Sequence, residues 1–92
     1  MQAIKNGRVY DTVTAMPITS IQTIEGTGPK KHYHAETFYQ QGDMDWFLVI
    51  VDHVLFREDP VVSIHPMTTY EAECWGQMNM DLDQYLAVFD PI

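Results

Sequence analysis

The hydrophobic pattern of this chain changes at Pro66, and that change limits the folds open to it. Before Pro66, short apolar runs either alternate with polar residues or are apolar on both faces, as in β-strands. After Pro66, apolar residues recur every three or four positions, as in helices. Because the strands come first and the helices last, the sequence predicts an α+β domain whose antiparallel sheet is covered on one face.

The strand part is predicted to contain two hairpins. Asn6-Gly7 lies between two short β-type runs, and this dipeptide tolerates the positive φ angles of a two-residue hairpin turn. A second hairpin is expected to pair the alternating stretch 31–39 with the run 46–51, which is apolar on both faces and therefore central. Further strands are expected at 18–24 and at 61–65, the latter closed by Pro66, so we expect about four to five strands.

Two short helices are predicted to close the fold. Thr68 and Glu71 have the spacing of a capping box, and the helix from Thr69 to about Met78 would bury an apolar stripe with Trp75 at its flank. That stripe consists of Tyr70, Cys74 and Met78. Asp81 would cap the second helix, whose apolar stripe consists of Leu82, Tyr85, Leu86 and Phe89.

The length and composition indicate one domain in a reducing compartment. The 92 residues are 46% hydrophobic, enough for one modest core, so residues 1–92 are interpreted as a single acidic domain. Cys74 is the one cysteine in the sequence, which rules out an internal disulfide. The sequence shows no charged-then-apolar leader and no apolar run of about 18 residues. We therefore expect a cytoplasmic protein without membrane contact.

The charge is unevenly distributed along the chain. The net charge is −8, but residues 1–34 hold four bases and two acids, whereas residues 35–92 hold one base and eleven acids. A surface of this sign repels nucleic-acid phosphates and attracts basic protein grooves. The acidic part is accordingly expected to face a macromolecular partner, and sequence-specific DNA binding is not expected.

The contacts with this partner are assigned to acidic turns and helix starts. The acidic candidates are Asp43, Asp45, Glu58, Asp59, Asp81 and Asp83. Trp46 and Tyr85 are the candidate aromatic anchors, because buried aromatic residues dominate binding energies. Lys30 and Lys31 are candidates for contact with a phosphate at the edge of the same groove.

A metal site is the alternative interpretation of the strand around residue 34. Alternate residues of a strand point the same way, so His32, His34 and Glu36 would project two imidazoles and a carboxylate from one face. A metal-binding protein or metalloenzyme using these three residues stays an alternative, and no cofactor is assigned. Cys74 falls on the predicted core stripe, without a nucleophile motif around it, so no catalytic residue is assigned.

Several short motifs resemble those of small proteins of phages and mobile elements. The opening pattern Asn-Gly-x-x-Tyr-Asp-Thr-x-Thr-Ala starts at Asn6, a Glu-x-x-Tyr strand at Glu36, a Gly…Trp-Phe-Leu strand at Gly42 and a Glu-Ala-x-x-Trp helix at Glu71. The resemblance covers about half of the chain and carries no catalytic residues. It implies a phage-borne accessory protein of the kind that includes anti-CRISPR and other anti-defence inhibitors.

The combined expectation is a non-enzymatic, anti-CRISPR-like inhibitor that acts as a monomer or small homo-oligomer. Its acidic face would bind a basic, nucleic-acid-handling surface of a host protein or ribonucleoprotein complex, with a CRISPR effector suspected. A structural or assembly protein of a phage, whose acidity is incidental, is the second alternative.

Overall fold

The computed structural model describes residues 1–28, 31–43, 45–54 and 59–89. The elements follow the chain as β1 (Gln2–Lys5), β2 (Arg8–Asp11), β3 (Met16–Glu25), β4 (His32–Gly42), β5 (Asp45–Val54), β6 (Val61–Met67), α1 (Thr69–Asn79) and α2 (Leu82–Phe89). The predicted α+β class is confirmed, with strands first and two helices last. The described strands number six and form two sheets, where about four to five strands were expected.

The first sheet is the predicted N-terminal hairpin, in which β1 and β2 pair antiparallel. Lys5 lies opposite Arg8, so Asn6 and Gly7 form the two-residue turn. Their φ angles of 52° and 78° are both positive, as this kind of turn requires.

The second sheet has four antiparallel strands in the order β3-β4-β5-β6. The expected pairing of the two long central strands is confirmed, with Phe38 opposite Leu48. Pro66 does not close β6, because this strand continues to Met67 with Pro66 opposite Phe47. A proline is tolerated there because β6 is an edge strand, where a missing backbone N–H leaves no neighbour unpaired.

One face of this sheet carries the helices. A buried cluster of Phe38, Trp46, Leu48, Ala72 and Trp75 joins β4 and β5 to α1. The rings of Phe38 and Trp75 stack at 5.1 Å, and Phe89 of α2 lies 5.4 Å from Trp46. The opposite face packs on the N-terminal hairpin through Tyr10, Ala15, Phe47, Val49 and Ile64.

Helix α1 begins with the predicted capping box but buries a different face from the one expected. The Thr68 side chain accepts from the Glu71 N–H, and the Glu71 carboxylate accepts from the Thr68 N–H. The predicted core stripe is wrong, because Tyr70 is 74% exposed and Met78 is 83% exposed. The buried face contains Ala72, Trp75 and Gly76. Ala72 and Gly76 are small, so the helix approaches its neighbours closely.

Helix α2 also divides its predicted stripe between two environments. Asp81 caps the helix as expected, since its Oδ1 accepts from the Gln84 N–H at 2.8 Å. Phe89 packs inward, with its ring 4.9 Å from that of Tyr85. Leu82 is 70% exposed, and Leu86 is exposed as well. The predicted stripe is therefore half buried and half open to solvent.

Candidate functional site

The two helices together form an acidic surface with exposed apolar residues. We call residues 68–89 the helical layer; this segment contains four acids and no base. The acids are Glu71, Glu73, Asp81 and Asp83. The exposed large apolar residues of the layer are Tyr70, Met78, Leu82 and Leu86. The outer face of both helices thus combines negative charge with apolar side chains that nothing in the described chain covers.

A groove lies between the two helices. Its volume is about 320 Å³, and its lining residues are Gln77, Met80, Leu82 and Tyr85. Gln77 Nε2 donates to the Tyr85 hydroxyl at 3.2 Å, which joins the two walls of the groove. Tyr85 was predicted as an anchor, and the structure places its half-buried side chain in this groove.

The turn between β4 and β5 separates its two predicted acidic contacts. Asp43 is exposed. Asp45 is turned toward the N-terminal hairpin, where it forms an ion pair with Arg8 and leaves only 13% of its side chain exposed. Gln41 Nε2 also donates to the Asp45 carboxylate at 3.1 Å. The charge of Asp45 is already paired within the chain, so Asp43 is the exposed acid at this turn.

Trp46 is not available as an anchor. Its side chain is 2% exposed and belongs to the core cluster beneath the helices. Trp46 is the second residue of β5, whose alternate positions face the helical layer, so the ring packs against Phe89. The prediction of Trp46 as a partner contact is corrected for this reason.

Further predicted contacts lie at the other end of the sheet or outside the described residues. Asp59 is exposed and precedes β6, whose first residue pairs with Asp52. Asp52 lies seven residues along β5 from Asp45, about 23 Å at about 3.3 Å per residue. Lys31 is exposed beside the start of β4, also at that distant end. Lys30 and Glu58 lie outside the described residues. Asp43 and Asp59 therefore lie at opposite ends of the sheet, and Lys31 does not lie beside the Asp43 turn.

The strand predicted to carry a metal site instead carries a hydrogen-bonded cluster. His34 Nδ1 lies 2.6 Å from Asp52 Oδ1, and His34 Nε2 lies 2.9 Å from Glu36 Oε2. His32 Nε2 also lies 3.2 Å from Asp52 Oδ1. On the helix side, Trp75 Nε1 donates to Glu36 Oε1 at 2.8 Å. We call these five residues the His34 cluster.

The protonated form of His34 suits this cluster best. Carboxylates only accept hydrogen bonds, so His34 makes both bonds when both of its ring nitrogens carry protons. The hydrogen bond to Asp52, followed by that to Glu36, raises the pKa of His34 above its usual 6.5. The hydrogen bond from His34 lowers the pKa of Asp52 below its usual 3.8.

This geometry opposes the metal interpretation. The predicted ligands His32, His34 and Glu36 do share one face, but both ring nitrogens of His34 face carboxylate oxygens. Metal ligation needs a ring nitrogen without a proton. Within the described ranges, no group of three or more His, Cys, Asp and Glu side chains is placed to hold a metal ion.

Sequence reasoning missed two members of the His34 cluster, Asp52 and Trp75. The pairing of β4 with β5 places Asp52 opposite His34, so a register prediction for the main hairpin could have found this acid. Trp75 lies 39 positions from Glu36. No local pattern indicates that contact.

No family model, curated protein or solved structure matches this chain. Among the described residues, no helix is long and apolar enough to cross a membrane.

Proposed function

We propose that this protein is a non-enzymatic inhibitor of the anti-defence type, which docks the helical layer and Asp43 on a basic, nucleic-acid-handling surface of a host protein complex. A CRISPR effector is the proposed example of such a complex, on the strength of the sequence resemblance to small phage proteins. The protein acts by occupying the surface that nucleic acid would otherwise contact.

The observation that carries this proposal is the composition of the helical layer. Four acids without a base stand beside four exposed large apolar side chains on the same two helices. Exposed apolar surface that is rimmed by polar or charged residues is typical of interaction sites. The negative charge repels nucleic acid, so the complementary partner is a basic protein surface.

The test is affinity capture from bacterial lysate at low and high salt (about 50 and about 500 mM), with mass spectrometry of the captured proteins. We expect nucleic-acid-handling proteins at low salt and their release at high salt, because salt screens the charged part of the contact. Added nucleic acid should displace them, since both ligands compete for the same basic surface.

Two results would contradict the proposal. One is capture that neither salt nor nucleic acid affects. The other is self-association by light scattering without any captured host protein, which would instead support an assembly role. Asp43→Lys should lose this capture. Glu25→Lys is its matched control and should retain capture, since Glu25 is exposed and lies on the sheet edge opposite His32.

A further inference from the structure

We infer that the groove between α1 and α2 binds an amphipathic basic helix, with apolar residues of that helix against Met80, Leu82 and Tyr85 and its Lys or Arg side chains beside Asp81 and Asp83. This inference rests on the proposed function and names the element of the partner that the helical layer contacts.

The groove is preformed by close packing of the two helices. A Cβ placed on Gly76 would lie 2.7 Å from the Phe89 ring and 3.1 Å from the Tyr85 ring. The glycine therefore lets α2 approach α1 closely. The resulting volume of about 320 Å³ is at the small end of the range of about 300–1,000 Å³ found for binding clefts.

Apolar stripes run along both helices, and one of their residues, Leu82, lines this groove. Tyr70, Cys74 and Met78 follow one another at four-residue intervals on α1, so they share one face. Leu82 and Leu86 do the same on α2. Both stripes have the spacing of buried helix faces, yet their described side chains are exposed or half-exposed. Their pattern is that of a surface covered by another helix.

The acids on either side of Leu82 favour a basic occupant for the groove. Asp81 and Asp83 flank Leu82, and the helical layer carries no base to neutralise them. Asp81 Oδ1 caps α2, and Asp83 is exposed. A second copy of this chain would bring four more acids against these four, so like-charge repulsion opposes self-association through this face.

The occupant is a helix because this surface offers side chains rather than free backbone groups. An extended peptide gains affinity by adding to a sheet edge through main-chain hydrogen bonds. Within helices these groups are bonded internally. Methionine adapts its shape to varied apolar partners. Met80 lines the groove, and Met78 is an exposed residue near the end of α1. An amphipathic helix can place its apolar face against the apolar side chains of the groove and its basic face beside the acids.

The test uses a synthetic amphipathic Lys/Leu helix of about 18 residues, labelled for fluorescence anisotropy, and a scrambled peptide of identical composition. We expect the amphipathic peptide to bind at least tenfold more tightly than the scrambled one, with affinity falling as salt rises. Leu82→Gln should weaken binding about tenfold or more. Val61→Gln is the matched control and should leave binding unchanged, since Val61 is similarly exposed but lies on β6.

Methionine methyl resonances locate the peptide. The methyl signals of Met78 and Met80 should shift on binding, whereas that of Met16 on β3 should not. Equal affinity for both peptides, shifts confined to Met16, or a dimer that Leu82→Gln dissociates would each overturn the inference. One result separates this inference from the proposed function. If Asp43→Lys loses capture of host proteins but Leu82→Gln keeps it in full, the proposed function stands and the groove inference is wrong.

Discussion

Trp75 on helix α1 donates its indole N–H to the Glu36 carboxylate on strand β4, at 2.8 Å. The same carboxylate accepts from His34 through its other oxygen. One acid thus connects the helical layer to the sheet and to the only histidine in the described chain whose two ring nitrogens both face carboxylates. The position of the proposed docking surface therefore depends on a polar contact as well as on the core.

Loss of the Glu36 carboxylate should destabilise the fold. In Glu36→Ala, the mostly buried Trp75 indole loses its acceptor, and an unsatisfied buried donor costs about 1–3 kcal/mol. Glu36→Gln keeps an amide oxygen for Trp75 and should recover part of that loss. Urea unfolding followed by tryptophan fluorescence measures both. Glu25→Ala, at an exposed position, should change the free energy of unfolding by less than about 0.5 kcal/mol; equal effects of Glu36→Ala and Glu25→Ala would contradict this role.

Stability should depend on pH through the His34 cluster. The pKa of His34 is raised in the folded state by its hydrogen bonds to Asp52 and Glu36, so its stabilising contribution is complete below its usual pKa of about 6.5. That contribution is lost as the pH rises through the folded-state pKa. The lowered pKa of Asp52 acts in the opposite direction: its contribution is present above about pH 3.9 and is lost as the pH falls through the folded-state pKa.

The free energy of unfolding should therefore decrease as the pH rises above about 6.5. Urea titrations across this range measure the decrease. His34→Gln should reduce the slope of the free energy of unfolding against pH, and Asp52→Asn should reduce this slope partly. The double variant should match His34→Gln, because the two residues act as one pair. An unchanged slope in His34→Gln would refute the assignment to this histidine.

Gly76→Ala should destabilise the packing of α2. Alanine favours a helix by about 1 kcal/mol relative to glycine, but here its Cβ would meet the Phe89 ring at 2.7 Å. That ring packs against Phe38 and Trp46, so it has little room to move. Overpacking costs about 1–3 kcal/mol, so we expect a net loss of up to about 2 kcal/mol in thermal or urea unfolding. Met78→Ala on the exposed face should stay within about 0.5 kcal/mol. A more stable Gly76→Ala variant would show that the helices are not in this close contact.

The two acids of the β4–β5 turn should respond differently to charge reversal. Asp45→Lys breaks the pair with Arg8 and places two positive charges together, so it should lower the free energy of unfolding by about 1 kcal/mol. Asp43→Lys affects an exposed side chain and should leave stability within about 0.5 kcal/mol. Chemical unfolding of both variants measures the two changes in the free energy of unfolding. Equal stability of the two variants would mean that the Arg8–Asp45 pair contributes nothing.

Much of the fold was predictable because its signals are local. Asn6-Gly7 specifies a hairpin turn through its tolerance of positive φ angles, and Thr68 and Glu71 cap a helix only three positions apart. The buried face of α1 was not predictable from hydrophobicity. Ala72 and Gly76 contribute little apolar surface, whereas Tyr70 and Met78 have the spacing of a core stripe. Apart from Trp75, the face that turned inward consists of small residues, which allow α1 to pack closely against its neighbours.

The candidate site was less predictable than the fold. The acids of the helical layer follow directly from the sequence, but the engagement of Asp45 by Arg8 joins residues 37 positions apart. Trp46 lies near the start of β5, and only the packing of the helices shows that its side chain faces the core. Long-range contacts of this kind determine which charged and aromatic residues stay available to a partner.

The most direct test of the account compares host-protein capture by three forms of the chain: wild type, Asp43→Lys/Asp83→Lys and the control Glu25→Lys/Asp59→Lys. Both double variants raise the net charge by four units, but only the first alters the proposed docking surface. Circular dichroism would establish that all three are folded. We expect Asp43→Lys/Asp83→Lys to lose at least about tenfold in capture of the basic partner at low salt, and the control to retain it. Equal loss in both variants, or no loss in either, would contradict the claim that the helical layer and Asp43 bind the partner.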